Sequence, residues 1–411
     1  MCAQESGLTE TPEIQEAVRR LGEGGLTEAA LGEHIRPLFS RVLARSSTEI
    51  YLINHSMGRP LDRTARDVQE AIDAWYVDPD EAWDVWLLQM QHFREQVADL
   101  INAHAADCIV PRSSAGQGLR AVLNAYDHKI DVLASSGEFN SIDLILKVYA
   151  QHERINLTMV AADVRGHYAM DRLVAGITDR TDLVVISLVM FLTGQWLSDL
   201  PLLIKTAHAH DARVLVDLYH AVGVLPVDVQ ILDADFAIGG CYKYLRGGPG
   251  AAWLYLDPRH LEGHFHTLDC GWFAQIEPFA FERPASPDIA SGGNALLEST
   301  PAVLPWYQAR AGLEFTRTMG VARLREYSLR QQGLLYRLLR EQGIMVCDEP
   351  SACGAFVAIP VAAAGNLTQQ LLQAGIRADA REGFLRLCPD ILNTAAELET
   401  TAECLGEIWR A

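Results

Sequence analysis

The middle of the chain alternates short, almost wholly apolar runs with longer segments whose apolar residues recur at helical spacing. Cys108-Ile109-Val110, Asp131-Val132-Leu133-Ala134, Leu157-Thr158-Met159-Val160, Leu183-Val184-Val185-Ile186-Ser187, Arg213 to Val216 and Phe236-Ala237-Ile238 are the strand candidates. Strands apolar on both faces, with helices between them, predict a mostly parallel sheet covered on both sides. Trp253-Leu254-Tyr255-Leu256 comes after a Gly-rich turn and predicts an antiparallel addition. The pattern differs toward the ends. The first fifty residues read as helical and charged, with a break at Gly22, Gly24 and Gly25. From Leu61 to Asn102 an amphipathic pattern carries Trp75, Trp83 and Trp86 and is interrupted at Asp78-Pro79. After Pro301 a helical pattern runs from about Leu304 to Gly343. Phe356-Val357-Ala358-Ile359, a helix over Leu367 to Gly375 and Leu385-Arg386-Leu387-Cys388 then predict a smaller α+β unit. The expected division is a helical segment over 1–60 that packs on the small domain, a large domain over 61–300 and a small domain over 301–411.

Each predicted strand runs out into polar residues. Val110 leads to Ser113-Ser114-Ala115-Gly116, Ala134 to Ser135-Ser136-Gly137-Glu138-Phe139, Ile186 to a loop with Thr193-Gly194, Val216 to Asp217 and His220, and Ile238 to Lys243. Ligands of open α/β sheets bind at the carboxyl ends of the strands, so these exits sketch one pocket. Ser113-Ser114 before a helix-like run would present hydroxyls and free N–H groups to a phosphate.

Lys243 is the most informative position. It stands between Tyr242 and Tyr244, just after an apolar strand and just before Gly247-Gly248-Pro249-Gly250. A lysine buried there is expensive, and burial frees its lone pair for covalent chemistry. Asp217, 26 residues earlier, ends another buried-strand pattern. Pyridoxal phosphate (PLP) enzymes place an aspartate on the pyridine nitrogen and a lysine on the aldehyde carbon. The pair predicts PLP.

Composition narrows the class. At 411 residues two domains are expected. With 49% hydrophobic and 21% charged residues the chain is an ordinary globular one, and no apolar run reaches membrane-span length. The first residues lack a basic region followed by an apolar stretch, which points to the cytoplasm. A formal net charge of −19 speaks against nucleic acid. The eight cysteines (2, 108, 241, 270, 347, 353, 388, 404) show no metal-ligand spacing, and His208 and His210 fall on different faces of a helix. No metal is expected.

The Lys243 segment is similar to the cofactor-lysine segment of kynureninases, which are fold type I (aspartate-aminotransferase-like, class V) PLP enzymes. Asn54-His55-Ser56-Met57-Gly58 resembles that family's early Asn-x-Ser-Leu-Gly, and Asp217-Leu218-Tyr219-His220-Ala221-Val222-Gly223 its Asp-Leu-x-His segment. Cys270-Gly271-Trp272-Phe273 resembles its Gly-Trp loop and Ser299-Thr300-Pro301 its Thr-Pro. The resemblance implies a fold type I homodimer that cleaves kynurenine to L-alanine and an anthranilate. Lys243 would hold the cofactor covalently and move protons at Cα; Asp217 would pair with the ring nitrogen; Phe139 would stack on the ring. Ser113, Ser114, His220, Tyr242, Trp272 and Thr300 would complete the cofactor shell, Thr300 from a second subunit. Tyr242 would be the acid/base at the leaving-group end, with Asn54 and Ser56 at the substrate. Arg386 would hold the substrate carboxylate, with Arg381 as competitor and an ion pair with Asp390 as the structural alternative.

Departures are visible too. Phe191-Leu192 stands where the family has Tyr-Arg, Arg246 where it has Asn, and Asn140 where it has Pro. They keep open a PLP-dependent C–S lyase or another class V enzyme. A desulfurase needs a mobile cysteine shortly before Arg386, and Cys347 and Cys353 lie too far back. A non-catalytic relative would have no physical reason to keep Lys243 facing Asp217.

Overall fold

The computed structural model describes residues 11–45, 49–261, 265–362 and 364–410. The reading of the first residues, Cys2 among them, lies outside these. Twelve strands are described: β1 (Ile50–Tyr51), β2 (Ile109–Arg112), β3 (Ile130–Ser135), β4 (Ile155–Val160), β5 (Thr181–Ser187), β6 (Arg213–Asp217), β7 (Phe236–Gly240), β8 (Ala252–Leu256), β9 (Val357–Pro360), β10 (Ile376–Arg377), β11 (Asp379–Arg381) and β12 (Phe384–Leu387). Seven form the central sheet in the order β2-β8-β7-β6-β5-β3-β4. β4, β3, β5, β6 and β7 run parallel, while β8 is antiparallel to both β7 and β2. The antiparallel strand expected after the Gly-rich turn is β8.

The apolar runs are strands because both faces are covered. β5, β6, β7 and β8 are buried almost throughout, and helices Asn140–Gln151, Leu200–Ala209 and Val229–Leu232 return the chain between parallel neighbours. Close packing fixes small residues at the seam: a Cβ on Gly240 would fall 1.8 Å from the Tyr219 hydroxyl. Parallel register sets β5, β6 and β7 so that Ser187, Asp217 and Ile238 lie side by side. The polar strand exits therefore share one edge.

The remaining strands are short. β11, β12 and β9 form an antiparallel sheet with Asp379 opposite Arg386. β1 pairs in parallel with β10, and Ile53 bridges to Cys388. The early segment is thus tied to residues more than 300 positions later, and its helices pack with Ala311, Phe315, Tyr327 and Leu392 in one apolar cluster. The single long helical pattern after Pro301 is two helices, Leu304–Met319 and Val321–Glu341, broken where Gly320 takes φ 80°. Neither β1, β10 nor β11 was predicted; two or three residues give no periodicity to read. Among the described residues no helix is long and apolar enough to cross a membrane.

Candidate active site

The carboxyl edge of the parallel strands opens into a cavity of about 290 Å³. Lys243, Asp217, His220, Tyr219, Tyr242, Phe139, Phe191, Ser114 and Ser187 line it. Lys243 comes from the loop after β7, is 4% exposed, and lies with its Nζ 2.6 Å from His220 Nε2. Aromatic rings surround the amine: the centroids of Phe139 and Tyr219 are each 5.4 Å away and that of Tyr242 5.7 Å. Burial pushes the Lys243 ammonium well down, against the pull of Asp217. Asp217 closes β6 and accepts from the Tyr219 N–H at 2.8 Å; burial pushes its carboxyl up, opposed by that hydrogen bond and by Lys243. His220 is held well below the usual imidazole range by burial and by Lys243, so it stays neutral beside the amine.

The phosphate corner is built by local sequence. Ser114 caps helix Ala115–Leu123, its hydroxyl accepting from the Gln117 N–H at 3.3 Å, and the Ser113 N–H donates to Gln117 Oε1 at 2.7 Å. The start of that helix, Ser114–Gly116, lines the cavity, at the end where a helix leaves N–H groups free for an anion. A buried amine, a buried carboxylate at a strand end and a capped helix start within one apolar-walled cavity are a donor set that fits PLP.

Not every expected residue gathers there. Ser113 and Thr300 line a separate cavity of about 180 Å³ with Arg112, Gln117 and Phe273. Trp272 stands in an aromatic cluster, stacked on Phe281 at 5.7 Å and edge-on to Phe273 and Phe279. Asn54 spends its amide on the Cys388 carbonyl at 2.8 Å, and Ser56 lies in the following turn, its N–H bonded to Ile53. Arg386 sits behind Phe191: its Nε and Nη2 donate to Asp379 Oδ1 at 3.0 and 2.6 Å, and Nη1 to the Phe191 carbonyl. Its partner is Asp379, not Asp390. Arg381 is exposed, 3.3 Å from Asp379 Oδ2. Arg246 points away from the cavity, to Asp390 at 2.8 Å and over the Phe39 ring. His208 and His210 serve different carboxylates, Asp235 and Asp179.

Sequence reasoning passed over Glu138 as a site residue. It is buried between strand ends, accepting from the Ser135 hydroxyl at 2.5 Å and the Ser187 hydroxyl at 2.6 Å. Burial, with Asp217 nearby, pushes its carboxyl up to about 7 despite those donors. The signal was a carboxylate one residue before Phe139, hidden because acidic loop residues are common.

Comparison with known proteins gives a consistent picture. The family model described as aminotransferase class V matches residues 85–380. A kynureninase of Deinococcus radiodurans is 31% identical over 362 residues, 84% of each chain, and one of Bacillus anthracis 26% identical over 388 residues, 88% of each. Among solved structures the fold is similar to C-DES, a cystine C–S lyase (TM-score 0.79, 18% identity, 89% of this chain and 99% of that one). It is also similar to the Escherichia coli cysteine desulfurase CsdA (TM-score 0.78, 20% identity, 94% and 99%).

Proposed function

We propose, from the premise that this chain belongs to the class V aminotransferase family and works with PLP, that it cleaves the side chain of an aromatic β-acyl amino acid as a kynureninase-like hydrolase. The observation that carries the reading is the Lys243–His220–Asp217 group in a cavity walled by Phe139, Phe191, Tyr219 and Tyr242, a lining suited to a flat aromatic side chain. The bound cofactor supplies an electron sink for charge developing at the substrate's Cα. The chain's own residues do the rest. Asp217 would hold the bound cofactor through its ring nitrogen, and Phe139 would cover its ring. Lys243, held close to neutral by burial, takes the Cα proton at Nζ and returns it, and neutral His220 fixes that Nζ by its 2.6 Å contact. Tyr242, pushed up to about 12 by burial, keeps its phenolic proton to give to the departing end. Arg386 takes the α-carboxylate. Water adds to the γ-carbonyl, the Cβ–Cγ bond breaks, and L-alanine and an anthranilate leave.

Persulfide chemistry gains no support: burial pushes the Cys347 and Cys353 thiols up to about 12, away from a reactive thiolate. A second reading, a C–S lyase, draws on one observation. Phe191, where kynureninases carry a tyrosine, puts a bare ring and no hydroxyl on the cavity wall. We further propose that the chain works as a homodimer in the cytoplasm, with the Thr300 and Trp272 surfaces presented to the partner's cofactor. The deciding experiment is incubation of PLP-loaded protein with L-kynurenine. Stoichiometric anthranilate and alanine are expected; cofactor spectral change without cleavage would move the assignment to sulfur-containing amino acids.

A further inference from the structure

Behind Phe191 three segments converge: β11, β12 and the turn after β1. Both Arg386 hydrogens directed at Asp379 go to one oxygen, Oδ1, while Asp379 Oδ2 lies 3.3 Å from Arg381 Nη2. His55 lies against this pair. Its Nε2 is 3.9 Å from Asp379 Oδ1, too long for a hydrogen bond, and its ring packs 4.8 Å from Phe356 and 6.5 Å from His220. The His55 side chain is wholly enclosed, and among the described residues neither ring nitrogen has a hydrogen-bond partner. Leaving two polar atoms buried and unpaired is destabilising, and a phenylalanine of similar size would fill the space without that penalty. The proposed cleavage chemistry makes no use of His55.

The geometry supplies a use. The Arg386 charge is already neutralised by Asp379. A substrate carboxylate arriving on the same guanidinium would crowd a second negative charge against the first. Relief comes if Asp379 gives up Arg386 and keeps Arg381, pivoting about Oδ2. A movement of roughly 1 Å then brings Oδ1 within reach of the nearest unused ring N–H. We infer that His55 is the positioning residue for this carboxylate exchange: it receives Asp379 when the substrate's α-carboxylate takes Asp379's place on Arg386. The inference rests on the reading of Arg386 as the carboxylate binder. Burial holds the imidazole at about 4, so it accepts the aspartate as a neutral donor and brings no further charge beside Lys243.

The test uses PLP-loaded His55→Phe and His55→Gln proteins beside the unaltered one. Binding of L-alanine is read from the cofactor absorbance, with alaninol, which lacks the carboxylate, as control, and thermal melting alongside. His55→Phe should keep the cofactor spectrum and the alaninol response, melt at the same or a higher temperature, and weaken L-alanine by at least about tenfold. His55→Gln, which retains an N–H donor, should stay within about threefold of the unaltered protein. Unchanged L-alanine affinity in His55→Phe would overturn the inference, and so would equal losses for alanine and alaninol. If the unaltered protein does not prefer alanine to alaninol, Arg386 is no carboxylate site and both readings fall together.

Discussion

Lys243 and Asp217 were legible because Asp217 closes, and Lys243 closely follows, a strand whose apolar run announces burial, and a charge in such a place needs a reason. His220 was legible as a residue of the same strand exit as Asp217, but its 2.6 Å contact with Lys243 Nζ was not, because the two stand 23 positions apart in sequence. The Asp379 partner of Arg386 emerges only once the β11–β12 turn sets the two opposite each other. Lys243→Ala should abolish covalent cofactor attachment, seen as loss of roughly the whole protein-bound absorbance above 400 nm after exhaustive washing. A variant that kept normal turnover would sink the assignment. Glu138 gives a pH test. Its folded-state pKa stands at about 7 against an ordinary 4.5. The folded protein therefore binds the extra proton, and that stabilisation is complete below pH 4.5 and lost as pH rises through 7. The full shift corresponds to at most about 3 kcal/mol. Glu138→Gln should melt with a flatter pH profile between about 4.5 and 7.5 than the unaltered protein; parallel profiles would show that the carboxyl stays ionised.

At the scale of elements, the parallel strands of the central sheet were all readable, since five or more residues leave a clear apolar run, whereas the two- and three-residue β1, β10 and β11 were not. Yet the segment after β1 covers the Lys243 loop. The Gly58 N–H donates to the Tyr242 carbonyl at 2.8 Å, and a Cβ on Gly58 would lie 1.9 Å from the Lys243 carbonyl oxygen. Both atoms are backbone and cannot step aside cheaply. Gly58→Ala should lower stability by about 2–4 kcal/mol and weaken PLP retention, measured by denaturant titration and by dialysis. Ordinary stability with intact PLP binding would show that the segment is free to shift.

The whole molecule is held by contacts no local pattern announces. Asp390 accepts from Arg59 in the early segment and from Arg246 in the Lys243 loop, and these two arginines hold its carboxyl at about 2 against the opposing effect of burial. Its contribution is present above about pH 4 and lost as pH falls toward 2. Asp390→Ala would leave two buried guanidiniums unpaired and should cost about 3–5 kcal/mol at neutral pH, with a lower melting temperature as the check. The expectation of a homodimer comes only from resemblance. Trp75, Tyr76, Ile276 and Phe281 are exposed apolar residues, and Thr300 stands away from its own chain's Lys243 cavity. A solution mass near twice 45.4 kDa is expected by light scattering; a mass of one chain would remove the shared-site proposal.

The pairing of Ile50 with Ile376 also bears on how the protein is born. A ribosome delivers the first of these residues some 300 positions before the second, so the early segment must wait, unsatisfied, until nearly all of the chain has emerged. The central sheet, whose parallel neighbours are close in sequence, has no such delay. A nascent chain halted before residue 376 would carry Lys243 in the loop after a finished strand, beneath an open roof.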